Sequence, residues 1–130
     1  MQKALPLLRD GGAIVLTGSG ASISSVPAFS VYSATKAAVR SFARGRILDL
    51  KDRKIRVNVL SPGATRTPGL LGLVPAARAE GLVGHLASRI PLGRVADPSE
   101  IAKAALFLAS DDSSFVNGIE LFADGGVAQI

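Results

Sequence analysis

Short apolar runs alternate with one long amphipathic stretch along this chain. Residues 13–17, Ala-Ile-Val-Leu-Thr, are almost wholly apolar, as expected of a short parallel strand covered on both faces. Residues 31–50 carry the period of a helix. Tyr32, Lys36, Val39, Ala43, Ile47 and Leu50 fall on one stripe, and Ala34, Ala37, Ala38, Ser41 and Gly45 lie opposite. A side made of small residues lets another helix approach closely, either from the same chain or from a second copy. Residues 55–60, Ile-Arg-Val-Asn-Val-Leu, predict a second strand with Ile55, Val57 and Val59 on one side, ended sharply by Ser61-Pro62-Gly63. Strand, helix and strand in this order predict a right-handed parallel βαβ unit.

The remaining stretches are shorter. Residues 1–9 read as the last turns of a helix, with Leu5, Leu7 and Leu8 apolar and Pro6 near an end, and Asp10-Gly11-Gly12 turns the chain. Residues 18–27 are rich in Gly and Ser and predict a loop, and residues 52–54 a polar connection. Residues 68–92 are apolar but irregular and interrupted by glycines, which predicts one or two short helices forming a mobile lid. Asp97-Pro98-Ser99-Glu100 is a helix start: Asp caps, Pro takes the first position and Glu the third. Ile101, Ala104, Ala105, Leu108 and Ala109 form the stripe expected to be buried, and residues 111–114 a loop. Residues 119–123 predict a third strand. The expected architecture is one α/β domain over residues 1–130, with a parallel sheet of about three strands and flanking helices.

Composition narrows the classes. At 130 residues and 48% hydrophobic, the chain is globular, and it has no cysteine for a disulfide or a thiolate metal site. That fits a reducing, cytoplasmic setting. No apolar run approaches the roughly eighteen residues of a membrane span, and His85 has no second histidine with which to share a metal. The net charge of +5 sits mainly at Lys36, Arg40, Arg44, Arg46, Lys51, Arg53, Lys54 and Arg56. Phe42 is the only aromatic among them, which argues against nucleic-acid binding. A diffuse positive field toward a small anionic ligand is the more natural use.

The chemistry concentrates between Ser19 and Lys36. In a helix beginning near Tyr32, an offset of four puts Tyr32 and Lys36 a turn apart on one face. A phenol is a poor base at neutral pH, with a reference pKa of about 10, and a nearby ammonium favours its phenolate. A tyrosine so tuned can pass a proton to or from a substrate oxygen. A serine hydroxyl such as that of Ser19 can hold the same oxygen.

Several segments together resemble the short-chain dehydrogenase/reductase family. They are Gly12-Ala-Ile-Val-Leu-Thr-Gly-Ser19, Val31-Tyr-Ser-Ala-Thr-Lys-Ala-Ala-Val39, Ile55-Arg-Val-Asn-Val-Leu-Ser-Pro-Gly63, Pro91-Leu-Gly-Arg94, Asp97-Pro-Ser-Glu-Ile-Ala102 and Asn117-Gly-Ile-Glu-Leu-Phe-Ala-Asp-Gly-Gly126. They stand in the family's order and spacing, and all belong to the second half of its fold. The resemblance implies a partial doubly wound, Rossmann-like parallel sheet, the C-terminal half of such a fold without the N-terminal dinucleotide fingerprint. It implies hydride transfer between a nicotinamide cofactor, NAD or NADP, and a small carbonyl or alcohol substrate. It assigns Tyr32 as general acid/base, Lys36 to the Tyr32 phenol and the nicotinamide ribose, and Ser19 to the substrate oxygen. Pro62, Gly63, Thr65 and Thr67 would border the nicotinamide. It also implies a homo-oligomer through helix 31–50 and the C-terminal strand.

Thr17-Gly18-Ser19-Gly20-Ala21-Ser22-Ile23-Ser24 half imitates the missing fingerprint, but Ser22 and Ser24 stand where two glycines are needed and Pro27 intervenes before the helix. The alternative to an enzyme is a non-catalytic remnant or oligomerisation module that cannot bind cofactor alone.

Overall fold

A computed structural model describes residues 3–25 and 27–129 of the chain. Met1 and Gln2, with which the expected N-terminal helix begins, Val26 in the expected loop, and Ile130 lie outside the described residues. The strands are β1 (Ala13–Thr17), β2 (Arg56–Pro62) and β3 (Glu120–Ala123). The helices are α1 (Ser30–Asp49), α2 (Pro68–Leu71), α3 (Ala79–Ala87) and α4 (Pro98–Ala109). The three strands form one parallel sheet in the order β1-β2-β3. β1 pairs from Ala13↔Arg56 to Thr17↔Leu60, and β2 with β3 from Val59↔Glu120 to Pro62↔Ala123, so all three carboxyl ends lie along one side of the sheet.

Alternation along the strands assigns each side chain a face. Val57 and Val59 of β2, with Ile55 just before it, point toward α1. There they meet Ala43 and Leu50, and the partly buried Ile14, Leu16, Val39 and Ile47 close around them. Full burial of an aliphatic side chain of this size stabilises by about 1.5–3 kcal/mol, which makes this cluster the main apolar anchor of α1. The other face carries Asn58 and Leu60 and receives α4 through the buried Leu108. Helices therefore cover both faces, as a parallel sheet requires.

Three local expectations change. The N-terminal helix reduces to one 3-10 turn, Leu5–Leu7. Pro6 offers no N–H for a longer run, and the Arg53 guanidinium takes the Leu5 and Leu8 carbonyls instead. β2 continues through Ser61 and Pro62 rather than stopping at Leu60, because β3 offers Phe122 and Ala123 as partners there. Ala109 is exposed, since α4 ends on it. Of the two uses left open for the small-residue side of α1, packing within the chain is not seen among the described residues: Ala34, Ala37, Ala38, Ser41 and Gly45 are exposed. Between β2 and α4 lie α2, a 3-10 turn at Ala76–Arg78 and α3, the short helices expected there. No helix among the described residues is long and apolar enough to cross a membrane.

Part of the positive charge is paired within or between elements. Arg53 pairs with Asp10 at 2.8 Å and Arg46 with Asp49 at 2.8 Å. Arg56 reaches from β2 to the Ser110 carbonyl at 2.8 Å, the Leu108 carbonyl at 3.1 Å and the Ser113 hydroxyl at 2.8 Å. A guanidinium there satisfies carbonyls that the end of α4 leaves free and complements its dipole.

The start of α4 is a complete capping box. Asp97 accepts from the Ser99 N–H at 2.8 Å, and Glu100 accepts from the Asp97 N–H at 2.9 Å and from the Nη1 and Nη2 of Arg94 at 2.6 and 2.7 Å. The Arg94 hydrogen bonds, then the Asp97 N–H, bring the Glu100 carboxyl down from 4.5 to about 2. A depressed carboxyl pKa adds stability that is present above 4.5 and lost as pH falls toward 2. Thermal unfolding followed across that window is expected to show falling stability in the wild type and a flatter profile in Glu100→Gln. Parallel profiles would show that the box contributes nothing in solution.

Candidate active site

β1, α1 and the turn between them build the site. β1 ends at Thr17, and the chain continues through Gly18 and Ser19 into a 3-10 turn, Gly20–Ser22. Gly18 is buried, and its N–H bonds to the Leu60 carbonyl at 2.7 Å. A β-carbon on Gly18 would lie 2.2 Å from Ser61 Oγ and 2.6 Å from Val59 Cγ1. This glycine is required for close approach of the turn to β2, not for a phosphate. The turn leads into Pro27 and only then into α1, so no helix start follows the glycines as a pyrophosphate site needs.

Ser19 caps the 3-10 turn, its Oγ accepting from the Ala21 N–H at 3.3 Å. That bond uses a lone pair and leaves the hydroxyl hydrogen to donate. Tyr32 and Lys36 lie on successive turns of α1. The Lys36 ammonium is 5.6 Å from the Tyr32 ring centroid and donates to the Thr17 carbonyl at 3.2 Å. It thereby ties its helix to the carboxyl end of β1, two residues before Ser19. Phe29 meets the Tyr32 ring edge-on at 5.7 Å between centroids, and Tyr32 itself stays 44% exposed. The first turn of α1 is pinned further by Ser33, whose hydroxyl donates to Ser25 Oγ at 3.0 Å.

The second group follows β2. Pro62 is paired with Ala123, and the Gly63 N–H donates to the Ala123 carbonyl at 3.0 Å. A β-carbon on Gly63 would meet Asp124 Cα at 2.6 Å, so this glycine is needed where β2 leaves β3. Thr65 donates to the Gly63 carbonyl at 3.0 Å and bridges to Ala96. Thr67 caps α2, accepting from the Leu70 N–H at 3.2 Å. Pro62 and Gly63 therefore end β2 on the same side of the sheet as Ser19, Tyr32 and Lys36, where open α/β sheets bind ligands, with Thr65 and Thr67 following in the chain.

Sequence reasoning missed Glu120. Its side chain, 6% exposed, accepts from the Ser22 and Ser61 hydroxyls, each at 2.6 Å, and faces Arg40 Nε at 3.6 Å. An acid inside an otherwise apolar strand was the available signal.

Comparison with known proteins places these residues in context. The family model described as enoyl-(acyl carrier protein) reductase matches residues 1–128. The oxidoreductase asL5 of Sarocladium schorii is 43% identical over 132 residues, covering 100% of this chain, which spans 51% of that protein. The glucose and ribitol dehydrogenase homolog of Oryza sativa subsp. japonica is 45% identical over 96 residues, covering 74% of this chain and 31% of its own length. Among solved structures, a short chain dehydrogenase family protein from Francisella tularensis superposes with a TM-score of 0.93 at 29% identity, over 99% of this chain and 56% of that one. The angucycline C-6 ketoreductase LanV with bound NADP superposes with a TM-score of 0.86 at 32% identity, over 99% of this chain and 48% of that one.

Gly63→Ala is expected to destabilise the chain by about 1–3 kcal/mol, as overpacking against backbone does. Denaturant unfolding checks it, with Gly20→Ala as control, since a β-carbon at Gly20 meets nothing within 4 Å. Equal stability of the two variants would remove the close-packing account of Gly63.

Proposed function

The chain belongs to the short-chain dehydrogenase/reductase family, and from that premise we propose that it is the C-terminal, catalytic half of a nicotinamide-dependent oxidoreductase acting on a small carbonyl or alcohol. The observation that carries the reading is Lys36, set between the Tyr32 ring and the Thr17 carbonyl at the carboxyl edge of a parallel sheet. That edge also holds the Ser19 hydroxyl.

The donor set fits the ribose and nicotinamide end of NAD or NADP. The Lys36 ammonium has three donors and gives one to Thr17, leaving two for ribose hydroxyls. Pro62, Gly63, Thr65 and Thr67 offer a glycine-bordered rim with two hydroxyls for the nicotinamide amide and neighbouring phosphate. A nicotinamide bound there supplies or accepts the hydride. During reduction Tyr32 gives its phenolic proton to the substrate oxygen, and during oxidation it takes the proton back. Lys36 supports the phenolate that results. Ser19 donates to the same oxygen, so developing negative charge is met by two hydroxyl donors. The LanV ketoreductase, described with bound NADP, supports the cofactor class.

This reading assigns the grip on adenosine and pyrophosphate to a segment carrying the family's glycine fingerprint, lying outside this chain. The free edge of β1 is the place for its adjoining strand. The second reading, a module that assembles without catalysing, draws on the exposed small side of α1 and on Val31 and Phe42, 78% and 62% exposed. The two readings share one expectation, a homo-oligomer through α1 and β3.

NADH fluorescence and turnover of a panel of carbonyl compounds, with and without a fingerprint-bearing segment, test the proposal. Tyr32→Phe is expected to lower turnover by about 10²–10⁴ with cofactor binding kept within a few-fold. Lys36→Met is expected to weaken both. Undiminished turnover in Tyr32→Phe, or no NADH binding with either preparation, would leave only the assembly reading.

A further inference from the structure

The two elements that carry the proposed chemistry meet at a carboxylate neither of them owns. α1 presents Tyr32, Lys36 and Arg40 at offsets of four, one above another on a single face. Arg40 Nε lies 3.6 Å from Glu120 Oε2, the start of β3. The turn that begins at Ser19 contributes Ser22, whose hydroxyl donates to Glu120 Oε1 at 2.6 Å. Ser61 of β2 donates to the same oxygen at 2.6 Å. Gly18 passes close by, since a β-carbon there would stand 3.4 Å from that oxygen. The Glu120 side chain is 6% exposed and that of Arg40 25%, so water competes weakly for these bonds.

The geometry points to Glu120 as a positioning residue of the active site. Through Ser22 it holds the Ser19 turn, through Arg40 it holds the catalytic face of α1, and through Ser61 it references both to the central strand. It touches no reacting atom in the proposed mechanism, and the inference rests on that mechanism for its meaning. The physical argument is the bonding itself. Hydroxyl-to-carboxylate bonds of this length are charge-assisted and stronger than neutral ones. The bonds of the 3-10 turn itself are short-range: Ser22 N–H to the Ser19 carbonyl at 2.9 Å, Ile23 and Ser24 N–H to the Gly20 carbonyl, each at 3.2 Å, the Ala21 N–H to Ser19 Oγ at 3.3 Å, and the Ser24 hydroxyl to the Gly20 carbonyl at 3.5 Å. A short turn of that kind drifts unless it is tied to something rigid. Arg40 Nη1 is buried without a hydrogen-bond partner among the described residues, so Glu120 is the group that balances this guanidinium.

The test needs neither cofactor nor turnover, so it fails or succeeds independently of the dehydrogenase reading. Tyr32 is the only tyrosine and the chain has no tryptophan, so carbon-labelled tyrosine gives one ring signal that reports on the catalytic face. Ser22→Ala is expected to speed amide exchange at residues 22–24 by roughly tenfold, the value of one charge-assisted bond. It is also expected to shift the Tyr32 signal, while exchange in the paired β1–β2 amides stays as in the wild type. Glu120→Ala is expected to do the same more strongly. Glu120→Gln, which keeps an acceptor for both serines, is expected to restore protection of the turn to within about threefold. Should Glu120→Ala fail to fold, Ser22→Ala and Glu120→Gln still decide the matter. Unchanged exchange at 22–24, a uniform rise across the sheet, or a faster turn with an unmoved Tyr32 signal would each overturn the assignment.

Discussion

Two parallel strands held in one register are what everything at the candidate site depends on. Thr17 pairs with Leu60, and the Gly18 N–H continues the ladder onto the Leu60 carbonyl at 2.7 Å. A slip by one residue would turn Val57 and Val59 away from α1 and carry Ser61 to the opposite face. The Lys36 ammonium could not then reach the Thr17 carbonyl from a helix seated on the same valines. The apolar cluster under α1 and the polar contacts above it are thus two ends of one alignment.

Much of what reads as functional signature along this chain is structural in its contacts. Asn117 accepts from the Val57 N–H at 2.8 Å, and Asn58 donates to the Val116 carbonyl at 2.8 Å and accepts from the Ile119 N–H at 3.1 Å. These bonds satisfy the edge of β2 before β3 begins to pair. Asp124 accepts from the Gly126 and Ala128 N–H groups at 2.9 and 2.7 Å and folds the tail back. Pro98 and Glu100 start a helix. Such residues are as specific as catalytic ones because each replaces a bond that an apolar neighbour could not make. A family signature in this chain is therefore mostly a record of how a parallel sheet with few strands satisfies its own backbone, with a small group of side chains left over for chemistry.

The elements were legible where pattern and chemistry agreed. β1 was readable to the residue from a short, mostly apolar run, α1 to within one residue from its period, and the start of α4 from Asp, Pro and Glu in three of four consecutive positions. Tyr32 and Lys36 were readable as neighbours because helical geometry alone sets an offset of four. The end of β2 was not, because Ser61 and Pro62 look like a terminator until β3 supplies partners for them. The N-terminal segment was misread for a similar reason: what replaces its helical bonds is Arg53, far along the chain.

By itself, then, the amino-acid order determined the class of fold, the positions of β1 and α1, the start of α4, and the pair on α1, since each follows from local periodicity or from fixed spacing within one element. Tertiary structure alone decided that Lys36 reaches β1, that Gly18 and Gly63 are glycines for close packing, and that Glu120 joins α1, the Ser19 turn and β2. Those contacts join residues from different elements, up to 98 positions apart. No period within a single segment encodes them, because they exist only once the register of the sheet has brought the elements together.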